Sequence, residues 1–170
     1  MAPITQPLRE EHQALFPHIE ELRQVADMIG EVPLDKLRQH VDDVYTFLSQ
    51  HLIPHAEAED QALYPVVSAA MGAAQATATM SRDHIEVGRL TEELASIRSA
   101  LAADEIGDAQ AKALRRVLYG LYALVNVHFA KEEEIYLPLL DSRLTAEEAR
   151  RMFADMEAAA ATMKQRAVAG

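Results

Sequence analysis

Hydrophobic residues along this chain recur at alternating steps of three and four, which is the period of a helix with one buried face. The first such stripe ends at Gly30, and three more are predicted over about 34–70, 74–103 and 109–140. No stretch alternates between apolar and polar residues as a half-buried strand would. The pattern therefore predicts an all-α chain whose body consists of four long helices.

Short connections join the four stripes, so successive helices are expected to run antiparallel. We predict an up-down-up-down four-helix bundle over about 4–140. Thr145 and Glu148 have the spacing of a capping box, which predicts an additional C-terminal helix over about 145–166. With 170 residues and 49% hydrophobic content, the chain fits a single domain over 1–170.

Seven polar residues stand in the apolar stripes at positions where leucine would be expected. They are His12, His51, His55, Glu59, His84, His128 and Glu132. An uncompensated carboxylate in a protein interior costs several kcal/mol. A single histidine on an apolar face is most often a hydrogen-bonded core residue, but seven such groups on four helices that meet at one level indicate a metal site.

The spacing of these residues repeats along the chain. Each of two segments carries a histidine, a glutamate four residues later and a proline ten residues after the histidine, namely His55, Glu59 and Pro65, and His128, Glu132 and Pro138. A lone histidine precedes each segment, His12 by 43 residues and His84 by 44. Because residues four apart project from the same face of a helix, each histidine and glutamate pair can bind one metal ion. The repeat predicts a duplicated helical hairpin.

The absence of cysteine limits the chemistry of this site, because it excludes disulfides, thiolate-bound zinc, iron–sulfur clusters and cysteine nucleophiles. Imidazole and carboxylate ligands suit iron, manganese or zinc, and the seven candidates exceed what one ion takes. The sequence therefore favours a two-metal centre. A ferritin-like di-iron site is disfavoured, because it requires Glu-x-x-His on two helices and the spacing here is His-x-x-x-Glu.

Charge and hydropathy limit the partners. The formal net charge of −11 repels phosphate backbones, so nucleic acid is not expected as a partner. The N-terminal residues lack the basic start and apolar core of a secretory signal, and no apolar run is long enough to span a membrane. We expect a cytoplasmic protein, as a monomer or weak dimer, whose partner is a small molecule.

The order of His, His-x-x-x-Glu, His and His-x-x-x-Glu on four helices resembles the haemerythrin-like (HHE) proteins. The matching positions are His12, His55 with Glu59, His84, and His128 with Glu132, and they span 12–132. The resemblance implies a non-haem di-iron centre with an oxo or hydroxo bridge, in which Glu59 and Glu132 bridge two iron ions. It also implies that His12 and His55 lie nearer one iron, and that His84 and His128 lie nearer the other.

The chain departs from oxygen-carrying haemerythrin at two positions. In the carrier the third helix bears two histidines four residues apart, whereas here Gly88 stands four residues after His84. Conversely, the second helix has an extra histidine, His51, four residues before His55. His51 is either a fifth imidazole ligand or a histidine that supports the site without binding metal.

The remaining polar residues near the motifs are expected to have ordinary roles. His18 and His40 are predicted on the surface, and the acids that flank the ligands, Glu57, Asp60, Glu133 and Glu134, on a solvated face. Tyr64 and Tyr136 are expected to pack as rings, with a hydrogen bond to a bound ligand as the alternative.

The predicted centre suits a small oxidant or diatomic ligand, namely hydrogen peroxide, nitric oxide or dioxygen. Without an imidazole at Gly88 one iron is less saturated, which favours catalase-like or nitric oxide chemistry over reversible oxygen carriage. The alternatives are an oxygen storage carrier, a metal or oxygen sensor that acts through a partner, and an interaction bundle without metal. The last alternative leaves the seven polar residues unexplained.

Overall fold

Five helices form the regular secondary structure of the computed structural model, which describes residues 3–101 and 105–169. They are α1 (Gln6–Met28), α2 (34–71), α3 (Ala78–Ala100), α4 (108–143) and α5 (Ala146–Ala169). No strand occurs in this part of the chain, which confirms the all-α prediction. The end predicted for the third helix, near residue 103, lies outside the described residues. None of the five helices is long and apolar enough to cross a membrane.

The first four helices enclose a common interior, because α1 and α3 each pack against both α2 and α4. The fifth helix packs against α2, and its Met152 and Met156 are buried there. The predicted capping box begins this helix: Thr145 donates to the carboxylate of Glu148 from its backbone N–H and its hydroxyl, both at 2.8 Å.

A polar layer divides the interior into two apolar clusters. One cluster contains Leu15, Leu52 and Phe129, and the other contains Leu8 and Tyr136. The polar residues at the boundary are His12 on α1, His55 and Glu59 on α2, His84 on α3, and His128 and Glu132 on α4. Each of the four helices therefore brings its motif to one level of the bundle.

Three wide π turns lie within the two longest helices, and a proline follows each. The turns are Leu48–Leu52, Glu59–Leu63 and Glu132–Tyr136, and the prolines are Pro54, Pro65 and Pro138. A proline has no N–H to donate, and its ring crowds the preceding helical turn. At each proline the helix widens, and the residue before it donates its N–H to a carbonyl five residues back. The repeated prolines thus mark two turns that begin at Glu59 and Glu132, and π turns of this kind are frequent at functional sites.

The π turns shift the buried stripe by one residue from the regular helical period. A regular period buries His51 and Ile135, but both are exposed, and Leu52 and Tyr136 are buried instead. The expectation that His51 lies on the buried stripe is therefore wrong. The physical reason is the extra residue in the turn that contains it, which rotates His51 out of the interior.

Candidate metal centre

Glu59 lies at the middle of a cluster of imidazoles. Its side chain is fully buried, and its Oε1 lies 3.0 Å from Nε2 of His55 and 3.7 Å from Nε2 of His12. Its Oε2 lies 3.3 Å from Nε2 of His84. The two oxygens of one carboxylate therefore face imidazoles from α1, α2 and α3.

Glu132 is also fully buried and approaches the same cluster from α4. Its Oε2 lies 3.5 Å from Nε2 of His12, and its Oε1 lies 3.5 Å from Nε2 of His128. The Nε2 atoms of His84 and His128 are 3.0 Å apart. Like Glu59, Glu132 turns one oxygen toward each half of the cluster.

Two groups of ligand atoms share Glu59. In the first group His12, His55 and Glu59 offer atoms within 4.8 Å of one another, and in the second Glu59 does so with His84 and His128. Two atoms bound to one metal ion at about 2.1 Å lie at most about 4.2 Å apart. Each group therefore needs only a small adjustment to surround an ion, and together they can hold two ions with a carboxylate between them.

Each of the four imidazoles turns Nε2 toward the cluster and Nδ1 toward a carboxylate on its other side. The pairs are His12 with Glu133 at 2.8 Å, His55 with Glu11 at 3.0 Å, His84 with Asp60 at 2.8 Å, and His128 with Asp83 at 3.1 Å. A carboxylate that accepts the Nδ1 proton fixes the tautomer and leaves Nε2 free to bind a metal. The imidazoles are thus held in the orientation of ligands.

Two of these carboxylates correct the sequence prediction of a solvated face. Asp60 and Glu133 are partly buried and each contacts an imidazole of another helix. Glu57 and Glu134 make no such contact among the described residues. A sequence signal was present, because Asp60 and Glu133 each directly follow a glutamate of the repeated motif.

The other two supporting acids directly precede the lone histidines of the repeat. Glu11 precedes His12 but contacts His55, and Asp83 precedes His84 but contacts His128. Each acid therefore supports the imidazole of the next helix in its own hairpin. Lys131 in turn pairs with Asp83, which extends this support to the surface of α4.

Tyr64 contributes a further polar atom to the cluster. Its hydroxyl donates to Oε1 of Glu132 at 2.7 Å and lies 3.1 Å from Nε2 of His128 and 3.3 Å from Nε2 of His84. Its ring stacks on that of His84, with centroids 5.4 Å apart. The ring of Tyr64 therefore packs, as expected, and its hydroxyl faces the centre, while a hydrogen bond to a bound ligand stays a prediction. Tyr136 only donates to the backbone carbonyl of Ala76, at 3.2 Å.

Several buried polar atoms of the cluster have no hydrogen-bond partner. They are Nε2 of His12 and of His55, both carboxylate oxygens of Glu59, and Oε2 of Glu132. A buried polar atom without a partner costs about 1–3 kcal/mol. All five atoms point into the cluster, from three helices, and all are nitrogen or oxygen donors that suit iron, manganese or zinc. A bound cation is therefore the group that these residues fit.

The charged groups of the cluster shift its pKa values in the direction opposite to burial. Burial alone would lower the pKa of His84, but the carboxylates of Asp60 and Glu59 raise the pKa of His84 to about 9. Burial alone would raise the pKa of Glu59, but the charge of His55 and the close imidazoles of His12 and His84 hold this pKa well below its usual value. The pKa values of His12 and His55 are raised, since nearby carboxylates outweigh their burial. Without metal, these shifts favour the imidazolium forms of His12, His55 and His84 and the carboxylate form of Glu59.

The other three histidines lie outside this cluster. His51 is exposed and its ring stacks on Phe47, with centroids 6.4 Å apart. His18 is exposed, as predicted, and its ring also stacks on that of Phe47, with centroids 4.9 Å apart. His40 is only partly exposed, with 28% of its side-chain surface accessible. The structure therefore brings together six of the seven predicted residues and leaves His51 apart.

A groove of about 350 Å³ leads from the surface to His55. It lies between α1, α2 and α5, and its lining includes Leu8, Glu11, Phe153 and Met156. The fifth helix supplies its outer wall. The groove gives a small molecule a route along a mostly apolar surface to the cluster.

A comparison with protein families agrees with this geometry. The family model described as "Hemerythrin HHE cation binding domain" matches residues 4–140, which include all four motif helices. No curated protein and no solved structure shows significant similarity to the chain. Since the family match covers most of the chain, the protein belongs to the hemerythrin HHE cation-binding family.

Proposed function

We propose that the protein is a non-haem di-iron protein that transforms a small oxidant or diatomic molecule, with hydrogen peroxide or nitric oxide favoured over dioxygen. The bundle is proposed to have up-down-up-down order within a single domain. The observation that carries the proposal is that two groups of ligand atoms share Glu59. Redox-active iron suits an imidazole-rich site without thiolate, and two ions use a ligand set that exceeds the needs of one.

The proposed ligands divide between the two ions along the lines of the two groups. His12 and His55 would hold one iron, and His84 and His128 the other. Glu59 and Glu132 would join them, since each has one oxygen toward each half of the cluster. His51 is left out of this set, because its side chain is exposed and lies apart from the cluster.

Bound iron would supply the exchange of electrons with the small molecule, in which one peroxide is reduced to water while a second is oxidised to dioxygen. The chain supplies a positioned hydrogen-bond donor. Burial, together with the charges of Glu59 and Glu132, raises the pKa of Tyr64, so its hydroxyl keeps its proton at neutral pH. That hydroxyl can donate a hydrogen bond next to His84 and His128.

The surroundings of the cluster restrict which molecules reach it. Phe129 stacks on His12 with centroids 4.3 Å apart and lies edge-on to His55 at 5.9 Å. These ring contacts close the cluster toward the larger apolar core, since Phe129 is itself buried. The groove beside His55 is narrow and mostly apolar, which favours small uncharged molecules such as peroxide, nitric oxide and dioxygen over larger substrates.

The test begins with anaerobic loading of the purified protein with ferrous iron, followed by measurement of iron per chain. We expect about two iron ions per chain, and consumption of added hydrogen peroxide or binding of nitric oxide. Glu132→Ala is expected to lose iron and activity, because it removes a buried ligand. Glu134→Ala is the matched control, since Glu134 is an exposed glutamate two residues away.

Three results would contradict the proposal. One is a single metal ion in the saturated protein, and another is uptake of zinc with no uptake of iron. The third is equal iron content and equal thermal stability of the Glu132→Ala and Glu134→Ala variants. A stable dioxygen adduct that reverses under argon, without peroxide consumption, would instead identify the protein as an oxygen storage carrier.

A further inference from the structure

A second group of metal-ligand side chains lies outside the buried cluster, between α1 and α2. Glu21, His40 and Asp43 each offer an atom within 4.8 Å of the others. His18 lies at the edge of this group, with Nδ1 3.8 Å from Oε2 of Glu21. Each helix contributes two residues three positions apart, as His-x-x-Glu on α1 and His-x-x-Asp on α2. Residues three apart share one face of a helix, so the two pairs face each other.

The separations within the group are close to those around a metal ion. Oε1 of Glu21 lies 4.0 Å from Nδ1 of His40, which is too long for a hydrogen bond, and all three ligand atoms lie within 4.8 Å of one another. Two ligand atoms bound at about 2.1 Å to a tetrahedral ion are about 3.4 Å apart, so the side chains need a small inward adjustment to surround one. Nδ1 of His40 is buried and has no hydrogen-bond partner, although the ring is partly exposed. A metal ion at this point would give Nδ1 of His40 a partner.

The charges of the group also lack a counter-ion within the described part of the chain. Glu20 and Asp42, the residues next to Glu21 and Asp43, pair with Arg23 and Arg98. Among the described residues no lysine or arginine contacts Glu21 or Asp43. Two carboxylates held close together without a cation repel each other.

The second hairpin of the duplicated chain shows what replaces an ion at the equivalent position. Counted from the motif histidines, Glu93 corresponds to Glu21, and Arg116 corresponds to Asp43. Glu93 and Arg116 form an ion pair between α3 and α4. The two histidines have no counterpart there, since Leu90 and Ala113 take the positions of His18 and His40. In the first hairpin an acid therefore replaces the arginine, and two imidazoles are added.

We propose that Glu21, His40 and Asp43, with His18 at the rim, form a second cation site that binds a divalent first-row metal ion such as Zn²⁺. The site is distinct from the buried cluster and does not depend on what that cluster binds. Two carboxylates and one or two imidazoles, without thiolate, suit such an ion. His18, Glu21 and Asp43 line an open groove of about 570 Å³, so the ion keeps water ligands and exchanges with solvent.

The test counts zinc bound to the iron-loaded protein after equilibrium dialysis, with iron measured in the same samples. We expect Asp43→Asn to bind the exchangeable zinc ion at least tenfold more weakly than the parent does. At zinc concentrations that fill this site in the parent, the parent should therefore bind one more zinc ion per chain than Asp43→Asn. Asp35→Asn is the matched control, because it removes the same charge from an exposed position of the same helix. It should bind zinc as the parent does.

A second variant, Asp43→Arg, puts an arginine in the first hairpin at the position that Arg116 occupies in the second, where Arg116 pairs with Glu93. We expect it to fold, to show no zinc-dependent rise in melting temperature, and to keep the parent's iron content. Equal zinc binding by Asp43→Asn and Asp35→Asn would overturn the proposal, since it would show only general attraction to an acidic protein. A parent protein that binds no exchangeable zinc would also overturn the proposal. Because the readout is the difference between variants, it is independent of the identity of the buried metal.

Discussion

The hydroxyl of Tyr64 donates a hydrogen bond to Oε1 of Glu132 at 2.7 Å, which joins α2 to α4 at the polar layer. Both residues lie at the boundary of a π turn, since Glu132 is the first residue of one turn and Tyr64 directly follows the last residue of another. The same oxygen of Glu132 faces His128 at 3.5 Å. Tyr64 thus limits the rotation of a proposed ligand and keeps one of its oxygens directed at the centre.

Removal of this hydroxyl should weaken the centre without unfolding the bundle. We expect Tyr64→Phe to keep the helical content and to bind iron roughly 10- to 100-fold more weakly, which is the usual effect of losing a group that orients a ligand. Tyr136→Phe is the control, because its hydroxyl contacts only a backbone carbonyl. Anaerobic iron titration with optical detection measures both. Equal affinities for the two variants would mean that Tyr64 has no role at the centre.

The carboxylate behind His84 allows a second prediction. Asp60 accepts from Nδ1 of His84 at 2.8 Å, and Asp60→Asn replaces an acceptor with a group that can orient its amide either way. We expect iron affinity to fall by roughly 10- to 100-fold. Glu57→Gln removes a charge from the same helix without such a contact. If both variants lose affinity equally, the effect belongs to net charge and not to the orientation of His84.

The sequence predicted the all-α fold and six of the residues in the buried polar cluster because both depend on periodicity. Steps of three and four residues mark helices whatever surrounds them, and a polar residue in an apolar stripe is visible as an exception. The carboxylates that contact Nδ1 of the four imidazoles were harder to assign. Glu11 and Asp83 support histidines of the neighbouring helix, so their role depends on which helices pack together and at what level.

His51 shows where periodicity fails. It occupies the position that a regular helix buries, but the turn Leu48–Leu52 contains an extra residue and His51 is exposed. The sequence does contain a cue, since Pro54 cannot donate the helical hydrogen bond. The cue predicts a disturbed helix but does not choose between a bend and a π turn, because that choice depends on packing against α1 and α5.

The exposure of His51 gives a third prediction. We expect His51→Ala to bind iron as the parent does, whereas His55→Ala, four residues away on the same helix, should lose most of its iron. His55 is buried and lies 3.0 Å from Glu59, while His51 is exposed and its ring stacks on that of Phe47. Metal analysis of the two variants purified in parallel provides the measurement. Loss of iron from His51→Ala would assign it to the centre through a rearrangement of the π turn.

The pKa shifts of the centre predict different pH dependence of stability for the metal-free and the metal-loaded protein. Without metal, the pKa of His84 rises from 6.5 to about 9 in the folded state. A raised histidine pKa contributes stability that is complete below pH 6.5 and is lost as the pH rises through about 9. The pKa of Glu59 is lowered from 4.5, so its contribution is complete above pH 4.5 and is lost as the pH falls. The metal-free protein should therefore lose stability, by roughly 3 kcal/mol from His84 alone, from pH 6.5 to above 9.

Bound metal should remove this slope above pH 6.5, and should instead make the stability fall as the pH drops below 6.5. A metal binds the deprotonated imidazole, so protons compete with it, and its contribution to folding falls as the pH drops through the pKa of the unfolded histidine. Denaturant unfolding at several pH values, for chelator-treated and iron-loaded protein, measures the two slopes. His84→Ala should flatten the slope of the metal-free protein, while His18→Ala, an exposed histidine outside the centre, should leave it unchanged. Parallel slopes for the two forms would mean that the metal does not bind these imidazoles.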